Sequence, residues 1–181
     1  MKLQHLSLEN FRGKSSLSLA LGDRLTLLMG ANGSGKTTVL DAIAIGLGAV
    51  LTYLPEVSGM SFKKSGDIHQ ANNQLAPYTR ITLESTSGIK WDRTLRRDKS
   101  KATTKSVPPA VGLRELERYF DQTVLNPLNQ GDDFILPVFV YYGVSRALLD
   151  VPVRRKGFTK KSSRFAALAS ALDADSRFRS A

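Results

Sequence analysis

The chain has 181 residues, with 26 Lys and Arg against 16 Asp and Glu, a formal net charge of +10 and no cysteine. Its length suits one domain with a real core, and a hydrophobic fraction of 41% argues against wholesale disorder. The lack of cysteine excludes disulfide scaffolds, thiolate catalysis and cysteine-ligated metal sites. No signal peptide is recognised, and the longest uncharged stretch, 42–55, is too short to cross a bilayer. We therefore expect a soluble, cytoplasmic protein without a membrane partner.

The first third of the chain predicts two strands, a buried strand and a helix. Apolar and polar residues alternate over 3–11 and 17–21, which is typical of half-buried strands. The run 25–29 is almost entirely apolar, as in a central strand covered on both faces. A helix is predicted over 35–53, because apolar residues recur there at steps of three and four. Its core candidates are Val39, Leu40, Ile43, Leu47, Val50 and Leu51.

The rest of the chain gives weaker and shorter signals. Residues 55–79 show no sustained period and are predicted to form a loop or an insertion. Strands over 80–84 and 89–95 should form a hairpin. The segment 97–110, rich in Lys, Ser, Thr and Pro, is predicted to be an exposed basic loop. The remaining expected elements are a helix at 113–120, a buried strand at 134–142 and an amphipathic helix at 163–172.

Positive charge is concentrated in two clusters in the second half of the chain. The first contains Arg93, Arg96, Arg97, Lys99, Lys101 and Lys105, and the second contains Arg154, Arg155, Lys156, Lys160, Lys161 and Arg164. Such clusters suit a polyanion, because neutralised phosphates release condensed counterions. A solvated basic surface is the alternative interpretation of each cluster.

Residues 30–37, Gly-Ala-Asn-Gly-Ser-Gly-Lys-Thr, match the phosphate-binding pattern G-x-x-x-x-G-K-[ST] at every fixed position. The glycines let the backbone curl so that successive N–H groups point at phosphates, and the helix that follows adds its positive dipole end. Lys36 would bridge the β- and γ-phosphates, and Thr37 would ligate Mg2+. No guanine-binding N-K-x-D sequence occurs, so ATP is favoured over GTP. The alternative is a glycine-rich turn that caps a helix and binds no ligand.

Two segments, LSLENFRG and LTLLMGANGSGKTTVLDAI, resemble the N-terminal head lobe of the SMC, Rad50 and RecF class of ABC-type ATPases. The segments KWDR, LPVFVYYGVSRALLDVP and FAALASALDADSRFR resemble bacterial AAA-family ATPases of antiphage defence, of the Septu- or retron-associated type. The resemblance implies an α/β fold of the P-loop NTPase class. Its mixed sheet would contain a central P-loop strand, followed by the P-loop helix, together with a β-hairpin.

The resemblance also implies a function. The chain would bind ATP and Mg2+ and, in a complete protein, hydrolyse ATP with Lys36 in a catalytic role and Thr37 on the metal. Its partners would be a second head, in a homodimer or a larger assembly, a nuclease or other effector, and nucleic acid held by the basic loops. Arg12 would lie near the nucleotide. The residues expected around the nucleotide are Gly30, Asn32, Gly33, Ser34, Gly35, Lys36, Thr37, Thr38 and Arg12.

Several motifs of that class are not recognised in this sequence. The class requires an apolar strand that ends in Asp-Glu, but here Asp132 and Asp133 precede the predicted strand 134–142. A Ser-Gly-Gly signature loop is not recognised either, and Gln122 and Gln130 are candidates for the magnesium-sensing glutamine by chain order only. We therefore expect residues 1–181 to be the N-terminal part of an ATPase head that lacks its acidic strand, signature loop and C-terminal lobe. Such a part should be inactive in hydrolysis by itself.

Other interpretations remain open at this point. Tyr141, Tyr142, Gly143, Ser145 and Arg146 follow the predicted strand and could face the nucleotide, a partner or the core. A non-catalytic interaction module stabilised by nucleotide is a second function class. A small P-loop kinase, with Arg96 or Arg97 clamping phosphate, is a third. His5 and His69 lack the spacing of metal ligands.

Overall fold

The computed structural model describes residues 1–54, 57, 59–143, 165, 168, 171 and 172. Its elements are β1 (Leu3–Phe11), β2 (Lys14–Ala20), α1 (Lys36–Leu51), β3 (Gln70–Ala71), β4 (Gln74–Leu75), β5 (Tyr78–Ser85), β6 (Lys90–Arg96), α2 (Lys101–Ser106), α3 (Arg114–Phe120), one π-helical turn (Asp121–Leu125) and α4 (Asn126–Gln130). Among the described helices, none is both long and apolar enough to cross a membrane.

Four strands form one antiparallel sheet in the order β2-β1-β5-β6. The predicted hairpin is β5–β6, and the two strands predicted near the N-terminus are β1 and β2, which also pair as a hairpin. In β1, Leu6 and Leu8 point into the core and are fully buried, as period-two alternation requires. The β1–β2 turn has only two residues, because Phe11 pairs with Lys14. The sheet therefore places this turn at one end of β1, where it meets α1.

Helix α1 packs against the sheet through its C-terminal half, where Ala44–Leu51 is buried. The Trp91 indole of β6 donates a hydrogen bond to the carbonyl of Gly46 at 3.1 Å. A Cβ at Gly46 would collide with the side chain of Leu83, so glycine allows the helix to approach the sheet closely. Most core candidates in this helix are confirmed, but Leu40 is exposed. The first turn of α1 carries Lys36 and Thr37, the last two residues of the phosphate-binding pattern.

The predicted buried strands over 25–29 and 134–142 are wrong as elements of the described sheet. Leu25, Leu27 and Met29 are 81%, 72% and 82% exposed, and Ile135 and Val138 are 89% and 81% exposed. Neither segment belongs to a strand in the part of the chain that the structure describes. Strand formation needs a neighbour that takes up the backbone hydrogen bonds, and the sequence pattern alone does not supply one.

Three connecting regions hold more structure than the sequence predicted. The predicted insertion contains the ribbon β3–β4, closed by Asn72 and Asn73, both with positive φ. The predicted basic loop contains α2, whose first turn is capped when the Ser100 hydroxyl accepts the N–H of Thr103 at 3.2 Å. The helix expected at 113–120 continues through the π-helical turn to Gln130.

Some predictions fall on residues for which the structure gives no description. Ser145, Arg146 and the second basic cluster lie outside the described residues, and so does most of the predicted helix 163–172. Within that segment, Phe165, Leu168 and Leu172 are described and buried, which agrees with their assignment to an apolar face.

Candidate nucleotide-binding site

The phosphate-binding pattern forms a loop that turns sharply into α1. Gly33 and Gly35 have φ angles of 81° and 98°, a region that strains residues with a Cβ. Ser34 N–H donates to the carbonyl of Ala31 at 3.2 Å, and Val39 N–H donates to that of Gly35 at 3.1 Å. Among the described residues, no side chain caps the start of the helix. The N–H groups of the first turn are thus available to an anion.

Lys36 folds back over this loop. Its Nζ donates hydrogen bonds to the carbonyls of Gly30 at 2.7 Å and Ala31 at 2.8 Å. Asn32 and Ser34 are exposed on the loop, while Thr37 is exposed and Thr38 half-buried on the first turn of α1. The structure therefore gathers all the residues expected from 30–38 around one accessible helix N-terminus.

The role of Thr37 as a magnesium ligand stays a prediction. Thr37 is exposed on the first turn of α1. Mg2+ prefers oxygen ligands and usually keeps several waters, with one or two protein groups and substrate phosphates completing its shell. Elsewhere in the described ranges, His, Cys, Asp and Glu form no group of three that could hold a metal ion.

Arg12 lies in the β1–β2 turn and bridges two carboxylates. Its Nε donates to Asp67 at 2.8 Å, and its Nη1 donates to Asp41 of α1. The Arg12 side chain is 26% exposed, and Asp67 is nearly completely buried. Burial lowers the pKa of Arg12, but the hydrogen bonds and charges of the two carboxylates outweigh it and raise the pKa. Arg12 therefore lies beside α1 in two ion pairs, and its role near the nucleotide stays a prediction.

A short loop before β3 fixes the β1–β2 turn. The remaining oxygen of Asp67 accepts the N–H of Lys63 at 2.6 Å, and Arg12 N–H donates to the carbonyl of Asp67 at 3.0 Å. His69 donates from Nδ1 to the carbonyl of Arg12 at 2.6 Å. Since a carbonyl can only accept, Nδ1 carries the proton. His69 thus acts as a structural hydrogen-bond donor to the β1–β2 turn.

Tyr141 completes the network from the far end of the chain. Its phenol donates to Asp41, through the oxygen that Arg12 does not contact. Burial and this hydrogen bond raise the pKa of Tyr141 to about 12. Of the alternatives left open for this residue, the structure favours packing against α1. Tyr142, by contrast, is 56% exposed.

The first basic cluster divides into structural and exposed residues. Arg93 donates to the carbonyls of Ile45 at 2.7 Å and Met60 at 2.6 Å, and burial lowers its pKa. Arg97 donates to Asp98 at 2.8 Å and to the carbonyl of Leu75 at 2.9 Å. Arg97 is itself exposed but is held by these contacts, and the other exposed members are Arg96, Lys99, Lys101 and Lys105. We call these four the exposed basic segment.

The candidates for the other catalytic parts do not meet the loop. Gln122 and Gln130 lie exposed on the π-helical turn and α4, and Asp132 and Asp133 are exposed beyond α4. In the described ranges, no hydrogen bond joins any of these four residues to residues 30–38. Gln122 and Gln130 were candidates only because of their order in the sequence. Order along the chain does not determine whether a residue lies near the phosphate loop.

Comparisons with known proteins identify the family. A family model described as an AAA domain, AAA_23, matches residues 5–181. The DNA replication and repair protein RecF of Shewanella pealeana is 51% identical over 67 residues, which is 37% of this chain and 18% of that protein. RecF of Rickettsia akari is 27% identical over 130 residues, which is 71% of this chain and 34% of that protein. The chain thus spans about a third or less of the length of these relatives.

One chain of known structure is also similar to this chain. Its description concerns the ATP-driven dimerization and DNA-stimulated activation of SMC ATPases. It is 15% identical, with a TM-score of 0.35, over 71% of this chain and 96% of that one. The family match over 5–181, together with the RecF relatives, confirms the expected α/β P-loop class. The chain belongs to the AAA-domain family whose model matches residues 5–181, and it is similar over part of its length to RecF proteins.

Proposed function

We propose that residues 1–181 are the ATP-binding part of an SMC/Rad50-like head that pairs with a second head around ATP and Mg2+. The observation that carries this proposal is the loop 30–35, which delivers the chain into an uncapped helix of 16 residues. Such a helix start is a favourable site for phosphate. Lys36 leaves the two loop carbonyls for the phosphates, because a charged acceptor forms the stronger hydrogen bond.

Each residue of the loop has a defined part in this proposal. Backbone N–H groups between Gly33 and Thr38, other than that of Ser34, which donates to Ala31, would hold the phosphates, and Lys36 would lie between the β- and γ-phosphates. Thr37 would hold Mg2+, whose positive charge would offset that of the phosphates. Asn32 and Ser34 line the loop. Arg12 is proposed to lie near the nucleotide from the β1–β2 turn.

Two exposed apolar segments, 25–29 and 135–140, support the proposal that further polypeptide completes the head. In both, most apolar side chains are highly exposed, while Leu28, Leu136 and Phe139 are half-buried and pack on the core. Contiguous exposed apolar surface of this kind typically marks a region that further polypeptide covers. We propose that a C-terminal lobe supplies neighbouring strands, with the acidic strand and the signature loop.

We propose that this part binds ATP but hydrolyses it poorly without that lobe. The only carboxylate on α1, Asp41, already accepts hydrogen bonds from Arg12 and Tyr141, so it is not available to activate water. A general base must reach the water within hydrogen-bond distance. That base is proposed to come from the acidic strand of the completing lobe.

We extend the proposal to nucleic acid and an effector. The exposed basic segment supplies four cations close together in sequence, and RecF relatives are described as DNA replication and repair proteins. ATP-driven closure of two heads would then change the nucleic-acid surface or the surface offered to an effector nuclease. The proposed antiphage role and cytoplasmic location depend on the sequence resemblance and on the lack of cysteine, respectively.

Two measurements test the proposal: the affinity of the chain for ATP and the mass of the protein particle in solution. Binding of a fluorescent ATP analogue with Mg2+ should be lost in Lys36→Ala and kept in Lys2→Ala, which removes an exposed lysine before β1. Light scattering should show a doubling of mass with ATP that does not occur with ADP. Failure of the unsubstituted chain to bind, or equal binding by Lys36→Ala, would contradict the proposal.

Turnover separates the alternative functions. Rapid Mg2+-dependent ATP hydrolysis by the 181-residue chain, lost in Lys36→Ala, would contradict the need for a completing lobe. ATP binding without any change in mass would instead favour the interaction module. Transfer of the phosphate to a nucleotide acceptor would favour the kinase.

A further inference from the structure

A second lysine reaches the start of α1 from the β1–β2 turn. Lys14 is the first residue of β2 and pairs with Phe11 across the turn. A Cβ built on Gly35 would lie 3.1 Å from Cε of Lys14 and 3.8 Å from its Nζ. The Lys14 side chain therefore crosses the residue from which α1 begins, and the missing Cβ of Gly35 leaves room for it.

Lys14 and Arg12 come from the same turn but reach different levels of α1. Arg12 contacts Asp41, which lies six residues beyond Gly35, a rise of about 9 Å along the helix. Its charge is compensated by Asp41 and Asp67. In the described part of the chain, no carboxylate forms an ion pair with Lys14. The turn thus places its uncompensated cation at the phosphate end of the helix.

This arrangement is electrostatically unfavourable unless an anion binds. The N-terminus of a helix carries a partial positive charge, and cations are destabilising beside it. Lys36 contributes a second ammonium group to the same loop. A polyphosphate placed among these groups would convert mutual repulsion into attraction, because each cation then faces an opposite charge within a short distance.

We propose that Lys14 is a further nucleotide-binding residue, whose ammonium group contacts the polyphosphate held by residues 30–37. This inference rests on the proposed function and adds to it a direct contact from the β1–β2 turn. A hydrogen bond to a charged group contributes enough that its loss weakens binding by about tenfold or more. Lys14→Gln should therefore bind ATP at least about tenfold more weakly, and Lys14→Arg should bind more tightly than Lys14→Gln.

The matched control is Lys2→Gln, which removes the same charge at the opposite end of β1, about 30 Å along the strand. Its ATP affinity should equal that of the unsubstituted chain. Thermal unfolding separates binding from a structural role. Without ATP, Lys14→Gln should unfold at the same temperature as the unsubstituted chain or higher, since a repulsion is removed. The increase in unfolding temperature that ATP causes should be smaller in Lys14→Gln than in the unsubstituted chain. A lower unfolding temperature without ATP, with an unchanged rise, would overturn the inference.

Chemical labelling tests the contact without any substitution. Acylation of lysine amines, read by mass spectrometry, should be slowed at Lys14 by ATP with Mg2+ and unchanged at Lys2. The inference is overturned if Lys36→Ala abolishes binding while Lys14→Gln binds like Lys2→Gln and Lys14 is labelled equally with and without ATP. That outcome would leave the proposed function intact. Absence of ATP binding by the unsubstituted chain would remove both.

Discussion

Tyr141 donates its phenol proton to Asp41, 100 residues earlier in the chain, and the second oxygen of that carboxylate accepts a hydrogen bond from Arg12. One side chain on the second turn of α1 thus joins the β1–β2 turn to the segment that ends the described main body. Asp67 holds Arg12 from the other side. These contacts hold three distant parts of the chain in fixed positions beside the phosphate loop.

Tyr141→Phe should separate the segment around 141 from α1. We expect the free energy of unfolding to fall by about 1 kcal/mol, which is typical of one lost hydrogen bond, measured by urea denaturation. Tyr119→Phe is the control, because the described part of the structure shows no hydrogen bond to the Tyr119 hydroxyl. Equal losses in the two variants would contradict a role for the Asp41 contact.

Alkaline pH should weaken the fold through three tyrosines. Burial and a hydrogen bond to a carboxylate raise the pKa of Tyr141 and of Tyr78 to about 12, with Asp41 and Glu9 as the acceptors. Burial and a hydrogen bond to Glu117 likewise raise the pKa of Tyr53 above its ordinary value. An unfolded tyrosine titrates near pH 10, at about its ordinary pKa. Because the folded state holds these protons more tightly, the stabilisation is complete below about pH 10 and is lost as the pH rises towards 12.

Tyrosinate absorbance, followed against pH, measures this effect. Three tyrosines should ionise later than the others, and one of these late ionisations should disappear in Tyr141→Phe. The unfolding temperature should fall between about pH 10 and 12 more steeply in the unsubstituted chain than in that variant. Ionisation of all tyrosines near pH 10 in the folded protein would contradict the prediction.

Arg93 should be required for stability rather than for binding a polyanion. Arg93→Met leaves the loop carbonyl of Met60 and the helical carbonyl of Ile45 without their guanidinium donor. We expect a loss of about 1 to 3 kcal/mol in the free energy of unfolding, by urea denaturation. The control is Arg96→Met, which makes the same chemical change at an exposed neighbour. Its free energy of unfolding should fall by less than about 0.5 kcal/mol. Similar losses in both would refute the distinction.

The exposed basic segment should contribute to the salt dependence of DNA binding. The test variant combines Arg96→Gln, Lys99→Gln, Lys101→Gln and Lys105→Gln, and the control combines Lys2→Gln, Lys63→Gln, Lys64→Gln and Lys90→Gln, which are also exposed. Fluorescence anisotropy with duplex DNA should show the slope of log affinity against log salt falling by up to about 3 in the test variant. The control should change little. An equal change in both would indicate only net charge.

The sequence predicted the sheet and α1 well, because their patterns are local. Alternation over 3–11 and steps of three and four after Gly35 specify which faces are buried, and the structure buries Leu6, Leu8 and Val50 accordingly. The segments 25–29 and 134–142 were predicted as buried strands on apolar content alone. Their burial depends on neighbouring strands, which local composition does not encode.

The candidate site was predicted in part for the same reason. A contiguous pattern marks residues 30–37, so it is visible without any structure. The contacts of Asp41, Asp67 and Tyr141 with Arg12 or with each other join residues far apart in sequence, and no spacing rule points to them. Lys14 lies only two residues after Arg12 in the sequence. The structure is needed to show that the Lys14 side chain, and not that of Arg12, approaches Gly35 at the start of α1.

The pairing of β1 with β5 has a consequence for the order in which the protein is assembled. Every strand of the four-stranded sheet lies within residues 3–96. During synthesis these residues leave the ribosome first, so the four strands can pair before the residues after 96 have emerged. The exposed apolar segments 25–29 and 135–140 must wait for the neighbours that we propose for them. The sheet that supports the phosphate loop is thus built before the segment that leads into the loop is covered.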